Sequence, residues 1–74
     1  MTKNIGFIGG GQMAEAIIKG LLQSDLFSDT IISVYDPLDT RCKYLSKHYT
    51  LEIRRSPEEI CTANEVIILA VKPQ

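Results

Sequence analysis

Short apolar runs alternate along this chain with segments whose apolar residues recur at helical spacing. This alternation predicts strands and helices in turn, beginning and ending with a strand. β-branched and apolar runs predict strands at 4–8, 30–35, 50–54 and 66–71. Apolar residues at helical spacing predict helices at 12–23, 40–48 and 57–63. Such alternation predicts a parallel sheet with right-handed crossovers. We expect the spatial order 3-2-1-4, with the first two helices on one face and the third on the other.

The predicted helices differ in how clearly their ends and faces can be recognised. Ser56, Pro57 and Glu59 form a capping box with proline at the first helical position. Asp39 is placed to cap the second helix, from which Leu45, Cys42 and Tyr44 are expected to face the sheet. The first helix is predicted to pack on the sheet through a broad apolar face formed by Met13, Ala16, Ile17, Leu21 and Leu22, with Ala14 and Ile18 beside them.

The turn after the first strand carries the most informative motif. Gly9, Gly11 and Ala14 spell G-x-G-x-x-A, the dinucleotide-binding fingerprint with alanine in its last position. Gly9 permits a sharp turn, Gly11 lets a pyrophosphate approach the backbone, and Ala14 lets the helix lie close to the strand. The first N–H groups of the helix then face an anion. The alternative is a strand–turn–helix hairpin without a ligand.

Asp36 closes the second strand, where the ribose partner of a dinucleotide is expected. Its carboxylate can accept hydrogen bonds from both ribose hydroxyls and would repel a 2′-phosphate. Asp36 therefore favours NADH over NADPH. Asp36 is also suited to start the turn before Pro37, and the two roles are compatible. Arg41 could reach a 2′-phosphate, but a solvated helix position is the favoured interpretation. Arg54 and Arg55 are interpreted as a solvated strand end.

The bulk properties exclude several classes of protein. With 74 residues and a net charge of −1, the chain has the size of one small domain and lacks the basic surface of a nucleic-acid-binding protein. No apolar run approaches the roughly 20 residues of a membrane span, and no signal-peptide pattern is present, so we expect a cytoplasmic protein without membrane attachment. Cys42 and Cys61, with one histidine, give no metal-binding pattern and are expected to be free thiols.

The glycine motif and a second segment together resemble one enzyme family. Gly11-Gln12-Met13-Ala14 and the later Ala70-Val71-Lys72-Pro73 resemble the N-terminal part of pyrroline-5-carboxylate reductases. The resemblance implies a partial Rossmann-type, doubly wound parallel sheet of the α/β class. It also implies proline biosynthesis by hydride transfer from NADH or NADPH to the imine of 1-pyrroline-5-carboxylate. Residues 1–74 would be the first part of the cofactor domain. The dimerisation and substrate domain of a homo-oligomer would be absent.

The motif and the resemblance together define the expected cofactor site. Its residues are Ile8, Gly9, Gly10, Gly11, Gln12, Met13, Asp36, Ala70, Val71, Lys72 and Pro73. The side chain of Met13 is expected mainly in the core, and no catalytic residue is expected in this chain. Many members of the family have a polar pair suited to a 2′-phosphate where this chain has Asp36, and often an asparagine that contacts the adenosine end where this chain has Ser56 and Pro57. Both differences argue against the family's usual preference for NADPH. The alternatives are a reductase of the 3-hydroxyacid dehydrogenase type and an NAD(P)-binding module without turnover.

Overall fold

A computed structural model describes residues 4–24 and 29–70 of the chain. Its elements are β1 (Asn4–Ile8), α1 (Gln12–Gln23), β2 (Ile31–Tyr35), α2 (Asp39–His48), β3 (Glu52–Ile53), α3 (Pro57–Ala63) and β4 (Val66–Leu69). All neighbouring strands pair in parallel, in the order β3-β2-β1-β4. The predicted fold class and strand order are therefore confirmed. β3 has two residues instead of the expected five, since only Glu52 and Ile53 pair with β2.

One face of the sheet holds the main apolar core, under α1 and α2. Alternate residues of the two central strands point to this face, as the period of two requires. The buried cluster comprises Ile5, Phe7, Ala14, Ile18, Ile32, Val34, Leu45 and Ala70. Burial of each large apolar side chain contributes roughly 1.5–3 kcal/mol. This cluster fixes α1 and α2 over the strands whose carboxyl ends carry the expected site.

The opposite face is covered by α3, which lies very close to β1 at Gly6. A Cβ atom on Gly6 would lie 2.5 Å from Asn64 Nδ2 and 2.6 Å from Ile60 Cγ2. The Asn4 side-chain amide donates to the Ala63 carbonyl at 3.1 Å. At the start of α3, Ser56 Oγ accepts the Glu59 N–H at 3.3 Å, so the predicted cap is confirmed. The predicted division of helices between the two faces also holds.

The structure corrects the predicted buried face of α1. Ala14 and Ile18 are buried, whereas Met13 is 68% exposed and Leu22 is 42% exposed. The small side chain of Ala14 sits directly against the sheet. Because successive residues lie about 100° apart around a helix, the neighbouring position 13 points away from this contact and toward solvent. The expectation that Met13 belongs to the core is therefore wrong.

Two expectations for α2 also need correction. The helix begins at Asp39 itself, and its N-cap is Leu38, so Asp39 is not the cap. Asp36 takes over part of that task, because its Oδ1 accepts the Leu38 N–H at 2.8 Å. Leu45 and Cys42 are buried as expected, but Tyr44 is 40% exposed and turns toward α1. Cys42 and the exposed Cys61 are both free thiols.

Candidate functional site

The turn between β1 and α1 is held by a backbone conformation that favours glycine. Gly9 has a φ of 106°, the only positive φ among the described residues. A side chain at this angle meets steric conflict that glycine avoids. The Gly9 N–H donates to the Tyr35 carbonyl at 2.8 Å, which ties the turn to the end of β2. Gly9 therefore performs the turning role that the motif predicts.

Gly11 differs, because the described part of the protein gives no reason for a glycine there. Its φ is −75° and its ψ is −166°, an extended conformation open to any residue. A Cβ atom at Gly11 would meet no described atom within 4 Å. Gly11 is also the N-cap of α1, a position where Ser, Thr, Asp or Asn would add a side-chain acceptor. The open space before Gly11 and the uncapped start of α1 fit a phosphate group.

The backbone N–H and carbonyl of Gly10 are each held by a side chain of the second βα unit. Asp36 Oδ2 accepts the Gly10 N–H at 2.7 Å. Arg41 Nε donates to the Gly10 carbonyl from α2. The other Asp36 oxygen holds the turn at Leu38, so the turn-forming role of Asp36 is confirmed. Each carboxylate oxygen retains a further lone pair, and the ribose role of Asp36 stays a prediction.

The Glu15 carboxylate of α1 accepts hydrogen bonds from three side chains that lie in α2 or directly after it. Arg41 Nη2 and the Tyr49 hydroxyl each lie 2.6 Å from its carboxylate, and the Tyr44 hydroxyl lies at 3.0 Å. The Tyr49 and Arg41 contacts hold the pKa of Glu15 below its usual range. The contact to Glu15 raises the pKa of Tyr49 to about 12. Arg41 is thus held by Glu15 and the Gly10 carbonyl, and the interpretation of this residue as a solvated helix position is wrong.

A groove of about 570 Å³ opens beside Asp36 at the carboxyl ends of β2 and β3. Its lining comprises Tyr35, Asp36, Pro37, Asp39, Cys42, Ile53, Arg54 and Arg55. Arg54 Nη2 lies 2.8 Å from Glu52 Oε2, whereas its Nε is buried without a described hydrogen-bond partner. The interpretation of Arg54 as a solvated strand end therefore missed a groove residue. Its position directly after a strand, at the ligand-binding edge of a parallel sheet, was the available signal.

The remaining expected site residues divide between described and undescribed positions. Ala70 is buried, and its N–H donates to the Ile8 carbonyl at 2.8 Å beside the glycine turn. Ile8 is half-buried at the end of β1, while Gln12 is exposed in the first turn of α1. Val71, Lys72 and Pro73 lie outside the described residues.

Comparison with known proteins identifies the family. The model of the family described as "NADP oxidoreductase coenzyme F420-dependent" matches residues 4–74. The chain belongs to this family. It is 39% identical over 74 residues to the pyrroline-5-carboxylate reductase of Synechocystis sp., covering 100% of this chain and 28% of that protein. Identity is 40% over 73 residues to pyrroline-5-carboxylate reductase 2 of Bacillus subtilis, covering 97% of this chain and 26% of that protein.

A third relative is also longer than this chain and matches it over only part of its own length. The pyrroline-5-carboxylate reductase of Haemophilus influenzae is 42% identical over 74 residues, covering 97% of this chain and 26% of that protein. The chain thus spans about a quarter of the length of these relatives. No solved structure gives a significant match. Across residues 4–24 and 29–70, no helix has the length and apolar character needed to span a membrane.

Proposed function

We propose that this chain is the cofactor-binding part of a pyrroline-5-carboxylate reductase. The intact protein would reduce the imine of 1-pyrroline-5-carboxylate and form L-proline. The family description names NADP, and the three relatives above bear the reductase name, which supports this proposal. Gly11 is the structural observation that carries it, because neither its backbone angles nor its described neighbours require a glycine. A ligand that approaches the backbone supplies the missing reason.

The described residues divide the task of holding a dinucleotide. The N–H groups from Gly9 to Met13 would bind the pyrophosphate, and Asp36 would bind the adenosine ribose. Ala70, with the segment that follows it, would border the nicotinamide end. The nicotinamide supplies the hydride when bound, while the protein orients it and stabilises charge. These assignments need no acid or base from the described residues.

We further propose that the substrate and catalytic residues belong to a second domain, in the part of the relatives' sequences that this chain does not match. The chain alone would then bind cofactor but reduce no imine. The intact enzyme would be a cytoplasmic homo-oligomer that acts on a small molecule, with no part in nucleic-acid or membrane binding. A chimeric enzyme can test this proposal, because it joins the cofactor site of this chain to the substrate domain of another reductase.

The cofactor preference follows from the surroundings of Asp36. A carboxylate beside the ribose repels a 2′-phosphate, and the cation nearest in sequence, Arg41, is committed to Glu15 and Gly10. We therefore propose that NADH is preferred over NADPH. Arg54 and Arg55 line the same groove and are the two cations that would oppose this preference.

A chimera tests the proposed function directly. This chain would replace the matched quarter of the Synechocystis reductase, and the imine-dependent oxidation of NADH would be followed. We expect turnover well above background, and a control chimera with Gly9→Val should be inactive because valine does not tolerate the positive φ. A folded chimera that binds NADH but does not reduce 1-pyrroline-5-carboxylate would contradict the proposal. Activity toward a 3-hydroxyacid instead would favour the other reductase class.

A further inference from the structure

The Glu15 carboxylate joins α1 to α2 and to Tyr49 by hydrogen bonds. The proposed function assigns no role to Glu15. Its contacts to Arg41 Nη2 and to the Tyr49 hydroxyl are both 2.6 Å long, the length of charge-assisted bonds. The side chains of Glu15 and Arg41 are only 20% and 24% exposed. This ion pair is therefore better shielded from solvent than the Lys43–Asp39 pair of α2, whose side chains are 79% and 80% exposed.

Arg41 extends this contact to the glycine turn. The guanidinium is a rigid planar fork, so fixing one nitrogen also fixes the direction of the others. Glu15 and Tyr44 hold the guanidinium in place, with Arg41 Cζ 4.8 Å from the Tyr44 ring centroid. The Nε of the same group donates to the Gly10 carbonyl. Since Asp36 accepts the Gly10 N–H at 2.7 Å, both backbone polar groups of this residue are held.

We propose that Glu15 is a positioning residue for dinucleotide binding, which acts through Arg41 on the Gly10 carbonyl. The inference rests on the proposed function and deepens it. The Gly10 carbonyl shares its peptide plane with the Gly11 N–H. Fixing this carbonyl therefore keeps the N–H groups from Gly11 to Met13 oriented toward the pyrophosphate before the ligand arrives. A preorganised site avoids the entropy cost of ordering the loop on binding. Glu15 itself needs no contact with the ligand.

The consequence is a loss of affinity that is independent of the adenosine 2′ substituent. We therefore expect Glu15→Gln and Arg41→Gln each to weaken NADH and NADPH binding by about tenfold. The double variant should bind no more weakly than Arg41→Gln alone, because both changes interrupt the same contact.

The experiment measures the dissociation constants of NADH and NADPH for this chain by calorimetric titration, with thermal unfolding of each variant. Arg41→Lys is the most specific variant, because lysine preserves the charge that faces Glu15 but lacks the Nε donor to Gly10. It should weaken binding by about tenfold while the unfolding temperature stays close to that of the unmodified chain. Lys43→Gln is the control for Arg41→Gln, because it also removes one positive charge from α2. Its affinity for NADH should stay within about twofold of that of the unmodified chain.

A second readout separates positioning from general stability. Tyr49→Phe removes a donor to Glu15 without touching Arg41, so it should lower the unfolding temperature and leave NADH affinity within about twofold. The Gly10 amide resonance should shift in Glu15→Gln and Arg41→Lys but not in Lys43→Gln. NADH affinity unchanged in folded Arg41→Lys, or additive losses in the double variant, would overturn the inference. Failure of the unmodified chain to bind NADH would overturn the proposed function instead.

Discussion

The backbone N–H of Gly10 donates to Asp36 Oδ2 at 2.7 Å, across 26 positions of sequence. This bond joins the turn after β1 to the end of β2. Asp36 therefore shapes the pyrophosphate loop as well as the expected ribose position. A change at Asp36 is expected to affect binding of any dinucleotide and, separately, the choice between two of them.

The first prediction concerns that choice. The unmodified chain should bind NADH more tightly than NADPH, because the Asp36 carboxylate repels a 2′-phosphate. Asp36→Ser should narrow the gap while weakening NADH binding, since it loses the Gly10 contact. Asp39→Ser is the control, because Asp39 is an exposed carboxylate of the same groove whose described ion pair is with Lys43. Dissociation constants for both dinucleotides decide the matter, and tighter NADPH binding by the unmodified chain would end the idea.

The second prediction compares two glycines. Gly6→Ala places a Cβ 2.5 Å from Asn64 Nδ2 and should push α3 from β1. We expect a loss of about 1–3 kcal/mol in the free energy of unfolding. In contrast, the Cβ added by Gly20→Ala meets no described atom within 4 Å, and Gly20 lies within α1. That change should raise the free energy of unfolding by about 0.5–1 kcal/mol. Urea titrations of both variants provide the test, and equal stability of the two would contradict the described packing.

The third prediction is a dependence of stability on alkaline pH. The pKa of Tyr49 is raised to about 12 by its bond to Glu15, while the unfolded chain has a value near 10. Between these values the folded state keeps a proton that the unfolded state loses, so stability falls as pH rises. Tyr49→Phe should lack this part of the fall. Denaturant titrations from pH 9 to pH 12 should therefore show converging curves, and a constant difference would contradict the assignment.

The fourth prediction concerns β4, an edge strand of the described sheet. Val66, Ile67 and Leu69 are 45%, 38% and 71% exposed. An apolar edge with unpaired backbone groups favours pairing with another chain. We expect the 74-residue chain to self-associate through β4 at micromolar concentration, and Leu69→Lys to weaken this association. Sedimentation velocity measures both. A well-dispersed monomer of the unmodified chain would contradict the prediction.

The sequence predicted those parts of the molecule whose causes are local. The period of apolar residues, the glycine turn and the Ser56 cap depend on neighbours in sequence. The strand order is that of the Rossmann-type fold, which the glycine fingerprint and the family resemblance imply. The exposure of Met13 could not be predicted, because it depends on how Ala14 seats α1 on the sheet. The Glu15–Arg41 contact joins two helices whose relative placement appears only in the folded structure. The groove position of Arg54 likewise depends on how β3 ends beside β2.

The most direct test of the central claim is NADH binding by Gly11→Ala. The added Cβ meets no described protein atom within 4 Å, so the free energy of unfolding should change by less than about 1 kcal/mol. The same Cβ enters the space assigned to the pyrophosphate, and the dissociation constant for NADH should rise by more than about tenfold. Unchanged stability with strongly weakened binding is the predicted result. NADH binding by Gly11→Ala as tight as that of the unmodified chain would contradict the account.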